Sequence, residues 1–316
     1  MDIRALQDYQ TMMADDLRMQ AYAQAIAALC PDKIVVEIGV GLGPLSLMAL
    51  RAGARRVYGI ELNPDALALA SEVIAAHGFG PARFVPVPGL STEVALPEKA
   101  DVILSETLDS LGIGENTAHY MADAKARLLQ PGGAFIPARL ECHLALAAPA
   151  AYAARAHFWQ AQMRSQHGLD YRAVLPALRR VKHTLPIDDS ERLSDWQCWQ
   201  CIDFSAPERP PQTAGVVLSA TRSGTATGLA AAFVAWLSPE VQLRTFCSDA
   251  PTHWQQGFVP FPERALEVAL GKSVYAEFAL GQTRDPALRY ALRVAAGPAS
   301  QVEALAAQRR SSAGLS

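Results

Sequence analysis

The stretch Ile34-Val35-Val36-Glu37-Ile38-Gly39-Val40-Gly41-Leu42-Gly43-Pro44-Leu45 constrains this fold more than any other. An apolar, largely β-branched run leads straight into glycines at alternate positions, and a helical pattern follows. Glycine accepts positive φ and lets the backbone approach a bound group closely. Strand, glycine turn and helix N-terminus together therefore predict a nucleotide-like ligand at the end of a parallel sheet. The spacing is G-x-G-x-G rather than G-x-G-x-x-G, which points away from a dinucleotide pyrophosphate. A second strand, Arg56-Val57-Tyr58-Gly59-Ile60, ends in Glu61. An acidic residue about 20 positions past the glycines is placed to accept hydrogen bonds from both ribose hydroxyls.

A second constellation follows the apolar run Ala100-Asp101-Val102-Ile103-Leu104, which reads as another buried strand. In Ser105-Glu106-Thr107-Leu108-Asp109-Ser110-Leu111-Gly112-Ile113-Gly114-Glu115, the glutamates Glu106 and Glu115 stand nine positions apart. Gly112 and Gly114 let the backbone fold back and return the second carboxylate to the first. Most glutamates are simply solvated. Two that converge where a parallel sheet ends, however, form a clamp for one guanidinium, whose planar fork suits paired carboxylates.

Half of the 316 residues are hydrophobic, so a sizeable core is available to two subdomains. The net charge is −3, which leaves no broad basic surface for nucleic acid. Of the five cysteines, Cys198-Trp199-Gln200-Cys201 has the spacing of half a zinc site. No second pair completes it, and the segment from Trp196 to Ile202 reads as a β-strand; no metal site is expected. The odd cysteine count and the lack of a signal peptide give a reducing, cytoplasmic expectation. No apolar run is long enough to span a bilayer.

Residues 1–28 read as a single helix on which Met12, Asp15, Arg18 and Tyr22 share one face. Residues 29–138 alternate strand and helix, with Gln130-Pro131-Gly132-Gly133 as a turn before the strand Ala134-Phe135-Ile136. From 139 to 316 short β-like runs recur, at 140–146, 214–220, 229–237 and 273–280. Helical residues interrupt them at about 155–183, among them Phe158, Trp159, Tyr171 and Leu175. The tail after Pro298 is expected to fray.

With these residues in view, the chain resembles the protein arginine N-methyltransferase family. The glycine turn with Glu61 and the loop from Ser105 to Glu115 match its first motifs and its double-glutamate loop. Tyr9-x-x-Met12-Met13-x-Asp15-x-x-Arg18-x-x-x-Tyr22 looks like its cofactor-covering helix, and Pro251-Thr252-His253-Trp254 like its threonine-histidine-tryptophan loop. The resemblance covers residues 9 to 295, and Ser91-Thr92-Glu93-Val94 with Asp109 is most similar to the monomethylating, type III branch.

The resemblance implies an α/β chain: a Rossmann-like S-adenosylmethionine-binding domain, then a β-barrel-like domain with a helical dimerisation arm. Glu106, Glu115, Asp15 and His253 would be catalytic, with Asp15 paired to His253. Asp109, Trp254, Met12 and Tyr9 would bind substrate. Arg18, Gly39, Gly41, Gly43, Glu61, Ser91, Thr92 and Glu106 would bind the cofactor, Arg18 facing either its carboxylate or a loop glutamate. The implied product cofactor is S-adenosylhomocysteine, the implied assembly a homodimer. Implied substrates are peptidyl arginine or, with the same chemistry, free L-arginine or a small guanidine. A cofactor-binding protein without catalysis and a small-molecule O-methyltransferase are disfavoured by the intact clamp.

Overall fold

The computed structural model describes residues 3–206, 213–281 and 289–312. Residues 1–2 of the expected first helix and 313–316 of the expected tail lie outside these.

The N-terminal segment forms two helices, α1 (Ile3–Met13) and α2 (Asp16–Leu29), where the sequence suggests one. Asp15 breaks them apart. Its backbone is extended and its carboxylate accepts from the Arg18 amide at 3.0 Å, a helix N-cap. The expected four-residue stripe is thereby divided: Met12 lies on α1, while Arg18 and Tyr22 are buried on α2.

Next come β1 (Ile34–Ile38), α3 (Pro44–Arg51), β2 (Arg56–Glu61), α4 (Pro64–Ala76), β3 (Phe84–Pro88), β4 (Ala100–Ser105), α5 (Thr117–Arg127) and β5 (Leu129–Ile136). The strands form one parallel sheet in the order β3-β2-β1-β4-β5. Chain order reverses between β1 and β4. That switch point is where an open α/β sheet leaves a crevice beyond its carboxyl ends. The expected turn at 130–133 instead lies within β5 as an irregularity, since Ala100 pairs with Leu129 and Val102 with Ala134.

The remainder comprises β6 (Arg139–Ala147), α6 (Ala150–His157), α7 (Met163–His167), α8 (Leu175–Leu178), β7 (His183–Leu185), β8 (Gln197–Asp203), β9 (Thr213–Ser219), β10 (Gly224–Ala226), β11 (Gly228–Trp236), β12 (Gln242–Arg244), β13 (Gln256–Pro260), β14 (Leu266–Val268), β15 (Ser273–Gly281), β16 (Arg289–Gly297) and α9 (Ala299–Ser312). All its pairings are antiparallel. The main sheet runs β7-β13-β11-β6-β8, with β12 on β11, and β16-β15-β9 forms a second. The helices α6 to α8 make up the interrupting segment seen in the sequence.

From Ala299 to Ser312 the chain is helical rather than frayed. Val302 and Ala306, one turn apart, bury against Tyr275 and anchor α9 to the small sheet. Cys198 and Cys201 lie in β8, and all five cysteines are free. Among the described residues no helix is long and apolar enough to cross a membrane.

One apolar core joins the two halves. Ile38 and Leu104 of the parallel sheet, Leu108, Leu111 and Ile113 of the loop after β4, and Cys142, Phe233 and Trp254 of the antiparallel half share it. The double-glutamate loop is thus a seam between the sheets, and its apolar residues fix where its carboxylates emerge.

Candidate active site

The glycine turn ends β1 and faces the end of β4. Gly39, Gly41 and Gly43 all have positive φ, of 78°, 56° and 83°. A Cβ at Gly43 would press on Ala70 of α4 at 3.1 Å, so this glycine also permits close helix packing. Glu61 closes the turn from β2, its carboxylate accepting from the Gly41 amide at 2.9 Å and the Asn63 amide at 2.8 Å.

Tyr9 does not face the clamp. Its ring lies against the glycine turn, where a Cβ on Gly41 would come within 2.7 Å of it. Burial and the Glu61 charge raise the Tyr9 phenol pKa. The sequence assigned Tyr9 to the substrate; in the structure its ring lies against the glycine turn, within reach of the Glu61 charge.

Ser91 is buried, and its hydroxyl has no hydrogen-bond partner among the described residues, while Thr92 beside it is half-buried. A buried, unpaired hydroxyl costs free energy unless a ligand satisfies it. Together with the glycine cradle and the Glu61 carboxylate, it fits a ribonucleoside-type cofactor with a heteroaromatic edge.

The clamp is built from three segments. Arg18 donates from Nε to Glu106 Oε2 at 3.0 Å and from a terminal nitrogen to the same oxygen, and both side chains are only 4 % exposed. It also donates to the Met12 carbonyl at 3.3 Å, so one guanidinium ties the α1–α2 break to the loop. Tyr22 anchors α2 from below, donating to the Ser105 carbonyl at 3.2 Å. Of the two partners expected for Arg18, this is the loop glutamate.

Glu115 opens to the surface, yet enough protein surrounds its carboxyl to matter. Desolvation, then the charges of Glu106 and Asp109, push its pKa up to about 7, with Lys182 opposing. The loop has thus brought Glu115 within electrostatic reach of Glu106.

Asp109 is committed to the loop itself. It accepts from the Leu111 amide at 2.9 Å and the Gly114 amide at 2.7 Å, and pairs with Lys182. The two loop glycines serve different ends. Gly112 takes a positive φ of 86°, whereas Gly114 leaves room for the Asp109 carboxylate, which any Cβ there would overlap.

Asp15 and His253 meet as expected. Asp15 Oδ2 accepts from the His253 amide at 2.8 Å and contacts Nδ1 at 2.9 Å. Burial works to raise the Asp15 pKa, but amide bonds from Arg18 and His253, with the imidazole, hold it below the ordinary value. Burial lowers that of His253, only partly offset by Asp15. Trp254, assigned to substrate from the sequence, is instead buried under the loop and donates to the Leu108 carbonyl at 2.7 Å. Outside the Asp15–His253 pair lies a cavity of about 500 Å³ lined by Gln10, Thr11, Ala14, Asp16, Leu17 and Pro251.

Glu37 is the residue that sequence reasoning passed over. It sits on β1, 1 % exposed, bonded by the Ser46 hydroxyl. Desolvation foremost raises its pKa to about 8, so it is mostly protonated at neutral pH. The available signal was a lone acid inside an apolar strand, which is rarely left uncompensated.

A profile described as "Methyltransferase domain" matches residues 35–133. The chain is 26% identical over 335 residues to a "Probable protein arginine N-methyltransferase 6" of Arabidopsis thaliana, covering 88% of this chain and 73% of that one. It is 27% identical over 276 residues to "Protein arginine N-methyltransferase 1" of Oryza sativa subsp. indica, covering 84% and 70%. Among solved structures, the "Trypanosoma brucei PRMT1 enzyme-prozyme heterotetrameric complex with AdoHcy" shares the fold at a TM-score of 0.79 and 22% identity, over 93% of this chain and 94% of that one. Arabidopsis thaliana protein arginine methyltransferase 10 does so at 0.74 and 21%, over 92% and 93%. With the parallel sheet, the glycine turn and the paired carboxylates, the chain carries a methyltransferase domain and is similar over most of its length to protein arginine N-methyltransferases.

Proposed function

We propose that this protein is an S-adenosylmethionine-dependent N-methyltransferase that places one methyl group on a guanidino nitrogen of peptidyl arginine. The observation that carries this reading is the clamp. Glu106 is held through its Oε2 by Arg18, while Glu115, close enough to feel the Glu106 charge, opens outward. A neutral acceptor has no use for two carboxylates there; a cationic guanidinium does. The names of the relatives and the AdoHcy in one structural neighbour support the same reading.

S-adenosylmethionine, when bound, supplies an electrophilic methyl group on a sulfonium. The backbone at Gly39, Gly41 and Gly43 would hold it, with Glu61 at its ribose, Ser91 and Thr92 at its adenine, and Arg18 near its carboxylate. Glu106 and Glu115 orient the guanidinium and draw its charge toward the nitrogens they contact, leaving another nitrogen more nucleophilic. Methylating a guanidinium releases one proton. Glu115, with a pKa of about 7, is suited to take it. Asp15 and His253 hold the outer wall, where Asp15 and Asp16 make the cavity attractive to a basic peptide. Met12, near the end of α1, would contact the substrate, its carbonyl fixed by the Arg18 guanidinium. Asp109, in this reading, contributes through the loop geometry that favours a single transfer.

The test is mass spectrometry after incubation with S-adenosylmethionine and either a glycine-arginine peptide or free L-arginine. A gain of one CH₂ unit on the peptide is expected. A gain on free arginine alone would move the chemistry to small-molecule biosynthesis, a second methyl would overturn monomethylation, and no gain on either would reject the reading. The peptide kcat/KM should fall about tenfold per pH unit on the acid side of about 7, as Glu115 becomes protonated.

The arm supports a homodimer. Phe158 meets Trp159 edge-on at 4.8 Å and Trp159 meets Tyr171 at a tilt at 5.8 Å, while Leu169, Tyr171 and Val181 stay 47%, 41% and 51% exposed. Replacing Leu169 and Tyr171 by serine and glutamine should convert dimers to monomers by light scattering. An unchanged mass at twice the chain's value would show that the arm is not the interface, and a monomeric wild type would remove the dimer.

A further inference from the structure

We propose that Lys182, at the base of the arm, is a positioning residue: paired with Asp109, it holds the Gly114 amide in place and presents the Glu115 carboxylate to the substrate guanidinium. The inference deepens the methyl-transfer reading and rests on it.

Three observations carry it. First, the connection is direct. Lys182 pairs with Asp109, and Asp109 accepts from the Gly114 amide at 2.7 Å, one residue before Glu115. The Ser110 hydroxyl reaches Thr184 on β7 at 3.2 Å, a second link between the same segments. Second, the pair is shielded, with side chains only 24% and 15% exposed. In such a place the attraction is less screened by solvent than in an open surface pair, and removing one partner strands the other charge. Third, the charges balance selectively. Of the loop carboxylates, Asp109 bonds Lys182 and Glu106 gives only its Oε2 to Arg18, so Glu115 keeps its charge for the substrate beside the remaining oxygen of Glu106.

Glu115 is faced by Glu106 and Asp109, which oppose its ionisation, and by Lys182, which favours it. Arg18, on α2, acts on this group through Glu106. Loss of the Lys182 charge should therefore raise the Glu115 midpoint further and shrink the carboxylate fraction at neutral pH.

The test compares K182M and K182R with wild type in two ways. One is steady-state kinetics with S-adenosylmethionine and the glycine-arginine peptide. The other is a carboxyl NMR titration of Glu115. For K182M we expect kcat to fall about tenfold, the cofactor KM to hold, and both the acid limb and the titration midpoint to move up by about one pH unit. K182R, which keeps the charge, should recover most of the rate. An unmoved midpoint with kcat within twofold of wild type would overturn the positioning role and leave the methyl-transfer reading standing. Equal impairment of K182R and K182M would overturn it too, since bulk rather than charge would then be at work. Absence of wild-type turnover on any guanidine would instead reject the methyl-transfer reading, and the role with it. K182Q serves the same comparison should K182M not fold.

Discussion

Replacing Glu106 by glutamine should lower kcat about a thousandfold while S-adenosylmethionine still binds. The substitution keeps shape and one hydrogen-bond acceptor and removes a single charge. A sulfonium and a guanidinium about 4 Å apart repel by roughly 4 kcal/mol at an effective dielectric near 20, and one clamp carboxylate offsets a term of about that size. At 1.36 kcal/mol per decade this is close to three decades in rate. The glycine turn, Glu61 and Ser91 lie on other segments and should keep most of the cofactor affinity, any loss coming through Arg18, which pairs with Glu106. Arg18 complicates the result, because its 4 % exposed guanidinium loses its ionic partner. A charge left unpaired in such a place costs stability, though the glutamine oxygen satisfies part of it. The denaturant midpoint must therefore be measured beside kcat and cofactor affinity. A folded variant with turnover within tenfold of wild type would refute the clamp.

What the sequence made legible was what local pattern controls. The run Ile34 to Leu45 states strand, positive-φ turn and helix start in consecutive residues, and the structure has all three. Asp15 and His253 stand 238 positions apart, and only resemblance to a family could pair them in advance. The break at Asp15 was hidden because aspartate fits either a helix surface or an N-cap, and which one is set by its bond to the Arg18 amide. Trp254 looked available to substrate because a tryptophan beside a histidine says nothing about which way its ring turns. Packing on Phe233 decided that. Glu37 and Lys182 depend on neighbours brought by folding, Ser46 in the one case and Asp109 in the other. Helix α9 was missed because Val302 and Ala306 stabilise it only against a sheet surface that the sequence does not display.

The second large effect is expected at Trp254. Its indole is 4 % exposed, meets Phe233 edge-on at 5.3 Å, stacks against His253 at 3.8 Å and donates to the Leu108 carbonyl at 2.7 Å. Truncating a buried tryptophan to alanine typically costs about 3–5 kcal/mol through lost burial and the cavity left behind. Trp254→Ala should lower the denaturant midpoint accordingly. It should also reduce kcat, because the indole is the floor on which Leu108 rests and Leu108 lies between Glu106 and Asp109. Trp254→Phe separates the contributions. It retains most ring packing but leaves the Leu108 carbonyl without its donor, a loss of about 1–3 kcal/mol. A ring that touched substrate would, when replaced, raise the peptide KM first; a ring beneath the loop should lower kcat with little change in that KM. An alanine variant within about 1 kcal/mol of wild type would show that the antiparallel half does not support the loop through Trp254, and the shared core would then have to position the clamp through Leu108, Leu111 and Ile113 alone.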